Sequence, residues 1–526
     1  MLTPIAPPPH SVAADGRDAP TPTPPIHARE QGQDAEVDLT LPDGMTALET
    51  IKSRGVDLQK EWSESPEHPQ NWPDRRRWTI ALVIALTGFL STADSSVFVA
   101  DIPTVQERYH ASKELATLTI SLYVIGLGCG PFVFAPLSEL YGRQMGYVIS
   151  MIGFTFMNLG CCFVDSLPGF IVLRFLAGFF GSSGPGLGVA TISDLFKPFE
   201  RGRPIAIYGI GPMLGPVIGS LLGEWLVLIS WRWSMRLMTS IIGLNTCCVI
   251  LFMRETYAPV LERKWLARRL AAETSEKGEA EAIAASAAPQ PDFREIAVRT
   301  FTRPPRLLMN PICALFATYY AITYGAIYIF IVSTPLLFSR RENDNLFSYN
   351  WPAGSAGLGY VPIGIGFVAS ATTAALTQDR IYKYLSRRYG TRGLPEYRLV
   401  LTQIGMVVFP AGLLMYGWSA QAQTHWIVPM IGSVVFSYGL MLCFNSLQNY
   451  LVDAFYPYGA AAMAGATLLR SVTGAILPIF SPIMYKNLGY GVGNTIIACV
   501  LLPAIPAPFV VFKAGERLRE RWKFQP

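Results

Sequence analysis

Gly209-Ile-Gly-Pro-Met-Leu-Gly-Pro-Val-Ile-Gly-Ser-Leu-Leu-Gly223 sets Gly211, Gly215, Gly219 and Gly223 four residues apart, with Pro212 and Pro216 one position round from them. On a helix the four glycines form one stripe, because residues at i and i+4 share a face. In water such a helix fails, since each interior proline costs about 3 kcal/mol and each glycine about 1 kcal/mol relative to alanine. Within a bilayer the backbone has no better alternative, and neighbouring helices satisfy the carbonyls that proline frees. Small residues at this spacing also let two helix backbones approach closely. The stretch predicts a bent membrane helix, either a tight packing seam or a helix beside a substrate path.

The rest of the chain has the composition of a membrane protein. Of 526 residues, 51% are hydrophobic, gathered in blocks of about 20, the length that spans a hydrocarbon core of ~30 Å. The net charge of +5 lies mostly in the connections, so it sets topology and implies no nucleic-acid partner. Cys129, Cys161, Cys162, Cys247, Cys248, Cys313, Cys443 and Cys499 all fall inside apolar blocks and read as helix-packing residues rather than disulfides or metal ligands. His10, His27, His68, His110 and His425 lie in tails or near loops, which argues against a histidine-based membrane enzyme. No GxxxxGK[ST] phosphate loop occurs, so ATP hydrolysis by this chain is not expected.

Residues 1–70 are rich in proline, alanine and charge without apolar period and predict a disordered tail with no cleavable signal. Asn71-Trp-Pro-Asp-Arg-Arg-Arg-Trp78 ends it, with a basic cluster that marks the cytoplasmic side. An N-terminal six-helix bundle is expected over 71–253, with spans near 79–100, 115–136, 145–164, 168–191, 205–228 and 234–253. A hydrophilic central loop, 254–309, separates it from a second bundle over 310–512. The second set of spans lies near 311–337, 355–377, 398–418, 426–450, 460–482 and 490–512, and a short tail, 513–526, follows. Arg143, Lys197, Arg201, Arg203 and the Arg380–Arg392 cluster fall on the tail's side, which places both ends in the cytoplasm. The central loop opens with an amphipathic helix candidate over 255–270 and continues into an Ala/Glu/Ser-rich linker. Six spans, a linker and six spans suggest duplicated halves around a central pathway. Ala135–Arg143 and Thr377–Lys383, each acidic then basic, are a loose echo of that duplication. The predicted fold is an all-α polytopic membrane protein of twelve transmembrane helices in two six-helix bundles.

Ionisable residues within spans are costly and usually have a role. Asp94 lies in span 1 and Asp101 seven residues on, nearly two turns and so on the same face. A desolvated carboxyl at Asp94 suits a group that takes up and releases protons, whereas Asp101 reads equally as a cap. Arg174 in span 4 either snorkels to the outer surface or needs a partner; Arg470, near the middle of span 11, is harder to dismiss in that way and needs a carboxylate, a helix end, water or an anionic ligand. Ser138-Glu-Leu-Tyr-Gly-Arg143 makes a tight turn in which Gly142 permits the bend, Arg143 faces phosphates or a helix end, and Glu139 can pair with the next bundle. It is either a topological anchor or a gate. Tyr320, Tyr324 and Tyr328 recur at four-residue spacing in span 7, and Asn445, Gln448 and Asn449 form a polar stripe in span 10. Either these are interfacial and interhelical contacts, or with Arg470 they line a cavity for a ring-containing organic molecule.

Taken in order, these motifs resemble the major facilitator superfamily and, within it, the fungal twelve-span drug:proton antiporters. The marks are Asn71-Trp-Pro; Gly130–Arg143; Arg174 with Gly178; Asp194 through Arg201-Gly202; the glycine-proline stripe followed by Trp231-Arg-Trp233; Glu255-Thr-Tyr-Ala-Pro259; Pro395-Glu-Tyr-Arg-Leu399; and Tyr450-Leu-Val-Asp453. The resemblance covers roughly residues 70–520. It implies alternating access with a proton entering as an organic solute leaves. Glu139 and Arg143 would gate, Arg174 would relay protons, and Gly211 to Gly219 would form the antiport seam. Two positions depart from the usual pattern: Gln144 stands where a second basic residue is common, and Met235-Arg236 where aromatic or apolar residues are common.

The function expected is proton-coupled export across the plasma membrane, driven by the proton gradient without a cofactor, by a protein acting as a monomer. With Arg174, Arg470 and Arg236 set against Asp94 as the one clearly embedded acid, the favoured cargo is a neutral or anionic amphipathic organic molecule, such as a secondary metabolite, toxin or antifungal drug. A polyamine would need more carboxylates to replace its hydration. The alternative is proton-coupled or facilitative uptake of an organic acid, nutrient or polyamine. A membrane enzyme would need clustered His, Asp or Glu at one face, a pattern that does not occur.

Overall fold

The structure is a computed structural model that describes residues 60–522 except 198–199, 201, 274–292, 340–345, 353, 391–393 and 456–457. The predicted tail up to residue 59, the linker tract 274–292, and Arg201, Arg340, Arg341 and Arg392 lie outside the described residues. Residues Glu61–Pro526 form one compact unit. Order begins before residue 71: Trp62 is 4% exposed and packs on Trp265, and the Asn71 side-chain amide donates to Ser63 and Ser65 carbonyls at 2.8 and 3.0 Å. A buried indole and a bonded amide fix the stretch that its composition marked as tail.

Among the described residues, eleven helical stretches are long and apolar enough to cross a bilayer. The first six are Asp74–Val97, Glu114–Leu140, Arg143–Phe163, Leu167–Leu195, Arg203–Leu226 and Trp231–Phe252. Then come Pro311–Phe338, Ser355–Tyr389, Pro395–Gln421, Ile427–Ala454 and the 61-residue stretch Ala461–Arg521. The last is two spans, because Gly489 at φ 76° and ψ 171° breaks the helix; that conformation is open to glycine and strained for any other residue. They are numbered 1 to 12 in chain order, with span 11 ending and span 12 beginning at Gly489.

Three interhelical pairings repeat in the two halves. Spans 1 and 5, 2 and 4, and 3 and 6 pack together in the first, as do 7 and 11, 8 and 10, and 9 and 12 in the second. Glycines permit several of these approaches: a Cβ on Gly178 would collide with the Tyr123 carbonyl, and one on Gly417 would lie 2.7 Å from the Tyr490 carbonyl. The halves meet through spans 2 and 11, where Ser121 donates to the Ala475 carbonyl at 2.6 Å. They also meet through spans 5 and 8, where a Cβ on Gly364 would lie 3.2 Å from Val217, and through spans 1 and 7. All eight cysteines are free thiols.

Two connections differ from expectation. Span 8 continues as helix to Tyr389, so Thr377–Lys383 is helix rather than loop, as residues 135–140 of the first half are too. The counterpart of Arg143 is Arg398. Arg143 at the start of span 3 pairs with Asp194 at the end of span 4 at 3.0 Å, and Arg398 at the start of span 9 pairs with Asp453 at the end of span 10, also at 3.0 Å. The central segment carries a second helix, Phe293–Leu308, besides Ala258–Glu273. Pro304 and Pro305 near its end disguise it, but Phe301 stacks on Phe132 of span 2 at 5.7 Å.

Candidate functional site

Span 1 turns its second half into the protein: Leu90 through Val97 are all buried. Span 5 makes this possible. A Cβ on Gly211 would lie 2.7 Å from the Ala85 carbonyl, one on Gly215 would collide with Thr92 Oγ1, and those on Gly219 and Gly223 would collide with the Ala93 and Val97 carbonyls. Pro212 packs on Gly88, and the Pro216 carbonyl accepts a 2.9 Å bond from Ser96. The predicted seam is therefore a face pressed along span 1, within the first half.

Asp94 and Arg174 form a wholly buried pair, both 0% exposed, with Nη1 donating to Oδ2 at 3.1 Å. Arg174 Nη2 also donates to the Asp94 carbonyl at 2.7 Å, and the guanidinium lies over Tyr123 at 4.4 Å. Arg174 does not snorkel, because its counter-ion is inside. Asp94 Oδ1 and Arg174 Nε are left without partners, so the pair keeps a free acceptor for a proton. One residue on, Ser95 Oγ lies 2.9 Å from Tyr328 Oη of span 7, a contact between the halves.

Asp94 and Asp101 do not share a helix face, since regular helix ends at Val97 and Asp101 stands at the head of a short helix, Ile102–Tyr109. Asp101 is nevertheless 0% exposed, and Glu224 near the end of span 5 is 5% exposed. Asp94 is thus not the only buried acid. Glu224 went unnoticed because it closely follows the glycine stripe; the signal was a carboxyl inside a predicted span. Arg236 is exposed and lies over Trp233 at 5.7 Å, and so adds nothing to the interior charge.

At the face where the described residues begin and end, Arg143 is 6% exposed. It donates to Asp194 at 3.0 Å and to Ser138 Oγ at 2.7 Å. Its backbone N–H and that of Gln144, the first turn of span 3, donate to the Glu255 carboxylate at 2.8 and 3.2 Å. A carboxylate there satisfies orphan helix donors and complements the helix dipole. Gly142 has φ 99°, and a Cβ on it would strike that carboxylate. Glu139 is exposed, so the acids that hold Arg143 and its turn are Asp194 and Glu255 instead. Gln144 donates to the Met253 carbonyl at 2.9 Å, tying span 3 to the exit of span 6.

Arg470 lies over Tyr324 at 4.4 Å and 5.7 Å from both Tyr320 and Phe444. Tyr320 and Phe444 are stacked at 4.3 Å, and Tyr324 Oη donates to Tyr328 Oη at 3.4 Å. Arg470 is half-buried with its Nε unpartnered, and no carboxylate pairs with it among the described residues. Phe444, beside Asn445, was not singled out in the sequence. Asn445 and Gln448 are half-buried, whereas Asn449 is exposed and donates to Gln378 of span 8 at 3.3 Å, so the polar stripe divides. Tyr328 faces Ser95 and joins the halves. A chain of contacts thus runs from Asp94 through Ser95, Tyr328 and Tyr324 to Arg470.

Comparison with known proteins places this geometry in a family. The family model for the Major Facilitator Superfamily matches residues 84–476. The MFS-type transporter penM of Penicillium rubens is 34% identical over 466 residues, covering 88% of this chain and 89% of that one. The efflux pump radE of Floropilus chiversii is also 34% identical, covering 88% and 84%. Among solved structures, the partially occluded, inward-open xylose transporter XylE of E. coli superposes with a TM-score of 0.60 at 16% identity, covering 84% of this chain and 98% of that one. The chain belongs to the major facilitator superfamily: it is a twelve-span membrane transporter and not an enzyme.

Proposed function

We propose that this transporter is a proton-coupled exporter of small amphipathic organic molecules, neutral or anionic, by alternating access. One observation carries the reading: the buried Asp94–Arg174 pair adjoins Ser95, which touches Tyr328 across the halves at 2.9 Å. A proton on Asp94 cancels its attraction for Arg174 and frees the guanidinium, which perturbs the helix segment holding Ser95. Tyr328 and Tyr324 then pass the change to Arg470. Proton and cargo thereby bias the same contact between the halves, as coupling requires. Export is favoured by the span 5 seam and by the likeness to proteins named as efflux pumps and MFS-type transporters.

The cargo reading rests on position rather than on a count of charges. Asp101 and Glu224 lie at the face opposite the one where the described residues begin and end, whereas Arg470 sits in the first half of span 11 within aromatic rings. A half-buried guanidinium with no carboxylate partner among the described residues favours a ligand that brings one, or a phenolate, on a ring system. In this reading the protein sits in the plasma membrane with the face rich in basic connections towards the cytoplasm, the side that lysine and arginine favour, the proton gradient is the energy source, and the monomer is the working unit.

The test is reconstitution in liposomes with an acidic lumen. A panel of aromatic carboxylates, neutral amphiphiles and spermidine is offered outside. Antiport accumulates the aromatic compounds in the acidic lumen, the opposite of passive weak-acid distribution. Preference for spermidine overturns the cargo reading, and no accumulation of any compound overturns export.

A further inference from the structure

Three acids and one guanidinium are buried on the face opposite the one where the described residues begin and end. Asp94 has Arg174 as its partner. Asp101 is 0% exposed, and neither of its carboxylate oxygens has a hydrogen-bond partner. Ser234 of span 6, the hydroxyl that faces it, is also buried and unpartnered. Glu224 follows Gly223, which lies against the Val97 carbonyl, so span 5 delivers it beside the end of span 1. On its other side Glu224 meets the second half: a Cβ on Gly357, in the first turn of span 8, would lie 3.1 Å from Glu224 Cβ.

The groups that face Asp101 are Ser234 from span 6, Glu224 from span 5 and Arg174 from span 4. Those that face Glu224 are Asp101 and, from the second half, Tyr360, whose hydroxyl donates to the Ile331 carbonyl. The nearby cations Arg108 and Arg232 are both engaged with Asp165. Arg174 is committed to Asp94, so among the described residues two carboxylates remain with no counter-charge of their own. Each bare carboxylate out of water costs several kcal/mol, and two like charges in one site resist joint ionisation.

We propose that Asp101 and Glu224 form a second proton-binding site, separate from the Asp94–Arg174 pair, that holds a proton while span 8 covers Glu224 and gives it to water when the halves part on that face. The step is a simple transfer: in the closed state one carboxyl of the two keeps its proton, and on opening that proton leaves to water as two hydrated carboxylates form. Burial pushes the Asp101 carboxyl well above the usual range; the Ser234 hydroxyl facing it opposes this, and the Glu224 charge adds to it. The site ties closure of one face to protonation without using the cargo site.

The experiment therefore needs no cargo, and its failure leaves the export reading standing. Spin labels are placed at Glu107→Cys and Ala422→Cys, both exposed on this face in opposite halves, with the exposed Cys247 and Cys499 replaced by serine. Distances are measured in phosphatidylcholine nanodiscs from pH 5 to pH 9, in potassium and in sodium buffer. One linked proton moves the closed-to-open ratio by up to about tenfold per pH unit, so the short distance is expected to fade as pH rises in either buffer. Glu224→Gln should hold it short at every pH, Glu224→Asp should restore the titration, and Asp94→Asn should keep it. The proposal is overturned if Glu224→Gln follows the unsubstituted protein, if Asp94→Asn alone abolishes the titration, or if sodium sets the distance.

Discussion

Neutralising Asp94 is the sharpest perturbation of the buried pair. Removing one partner from a buried ion pair costs about 3–5 kcal/mol, because the other charge is stranded. In Asp94→Asn the guanidinium retains its 2.7 Å bond to the main-chain carbonyl and its seat 4.4 Å over Tyr123, which puts the cost near the lower figure. In Arg174→Gln the stranded carboxylate escapes by taking a proton, which at pH 7 limits the cost to about 4 kcal/mol for a group of ordinary pKa near 3.9. The double substitution leaves two neutral amides in reach of each other. Its loss should fall below the sum of the single losses by at least about 2 kcal/mol, within the range for residues in contact. The assay is the apparent melting temperature of detergent-purified protein, followed by tryptophan fluorescence at a fixed scan rate. At about 2–4 °C per kcal/mol, losses of about 3–4 kcal/mol should lower the melting of each single variant by roughly 6–16 °C, and the double variant should fall short of the two shifts combined. Strictly additive losses would refute the reasoning. In vesicles, Asp94→Asn should bind cargo yet lose its response to the pH gradient; unaltered gradient-driven movement would remove Asp94 from coupling.

Gly215→Val forces a side chain into Thr92 and to within 2.8 Å of the Phe89 carbonyl, and overpacking of this kind costs about 1–3 kcal/mol; melting should drop, whereas Gly209→Ala, with open space around it, should be silent. Arg470→Gln should weaken binding of an aromatic carboxylate at least about tenfold, the lower end expected for losing a charge-assisted hydrogen bond, and change a neutral analogue little, as read by fluorescence competition. The raised carboxyl of Asp101 stays protonated in the folded state while the unfolded chain ionises above about pH 3.9. Stability of the unsubstituted protein therefore falls as pH rises from there towards the folded value, and Asp101→Asn should be more stable at pH 7 and flatter in a melting series.

Much of the architecture was legible because a bilayer is an exacting solvent. Every backbone polar group must be bonded within a helix, so the blocks of apolar residues translate directly into spans, and Gly211 through Gly223 declare a face that some helix must approach. Arg174 and Asp94 announced themselves as charges out of place. Their pairing did not, because 80 residues separate them along the chain and nothing local distinguishes a snorkelling arginine from one whose counter-ion lies on another helix. Nor does the sequence say which acids hold Arg143 and its turn: only packing selects Asp194 and Glu255. Span 8 ran past its predicted end because polar residues on an exposed helix face look like loop when read along the chain.

The amino-acid order by itself determined the number of crossings, their alternation, the duplicated plan and the residues that cost energy to bury, since each follows from short-range periodicity and transfer energy. The tertiary structure alone decided that the glycine face lies along span 1, that Arg174 holds Asp94, that Ser95 meets Tyr328, and that Asp101 and Glu224 are both buried. Those are contacts between distant segments, set by which helices pack and at what depth, and charge pairing in a low-dielectric interior depends on distances of a few ångströms that no local pattern encodes.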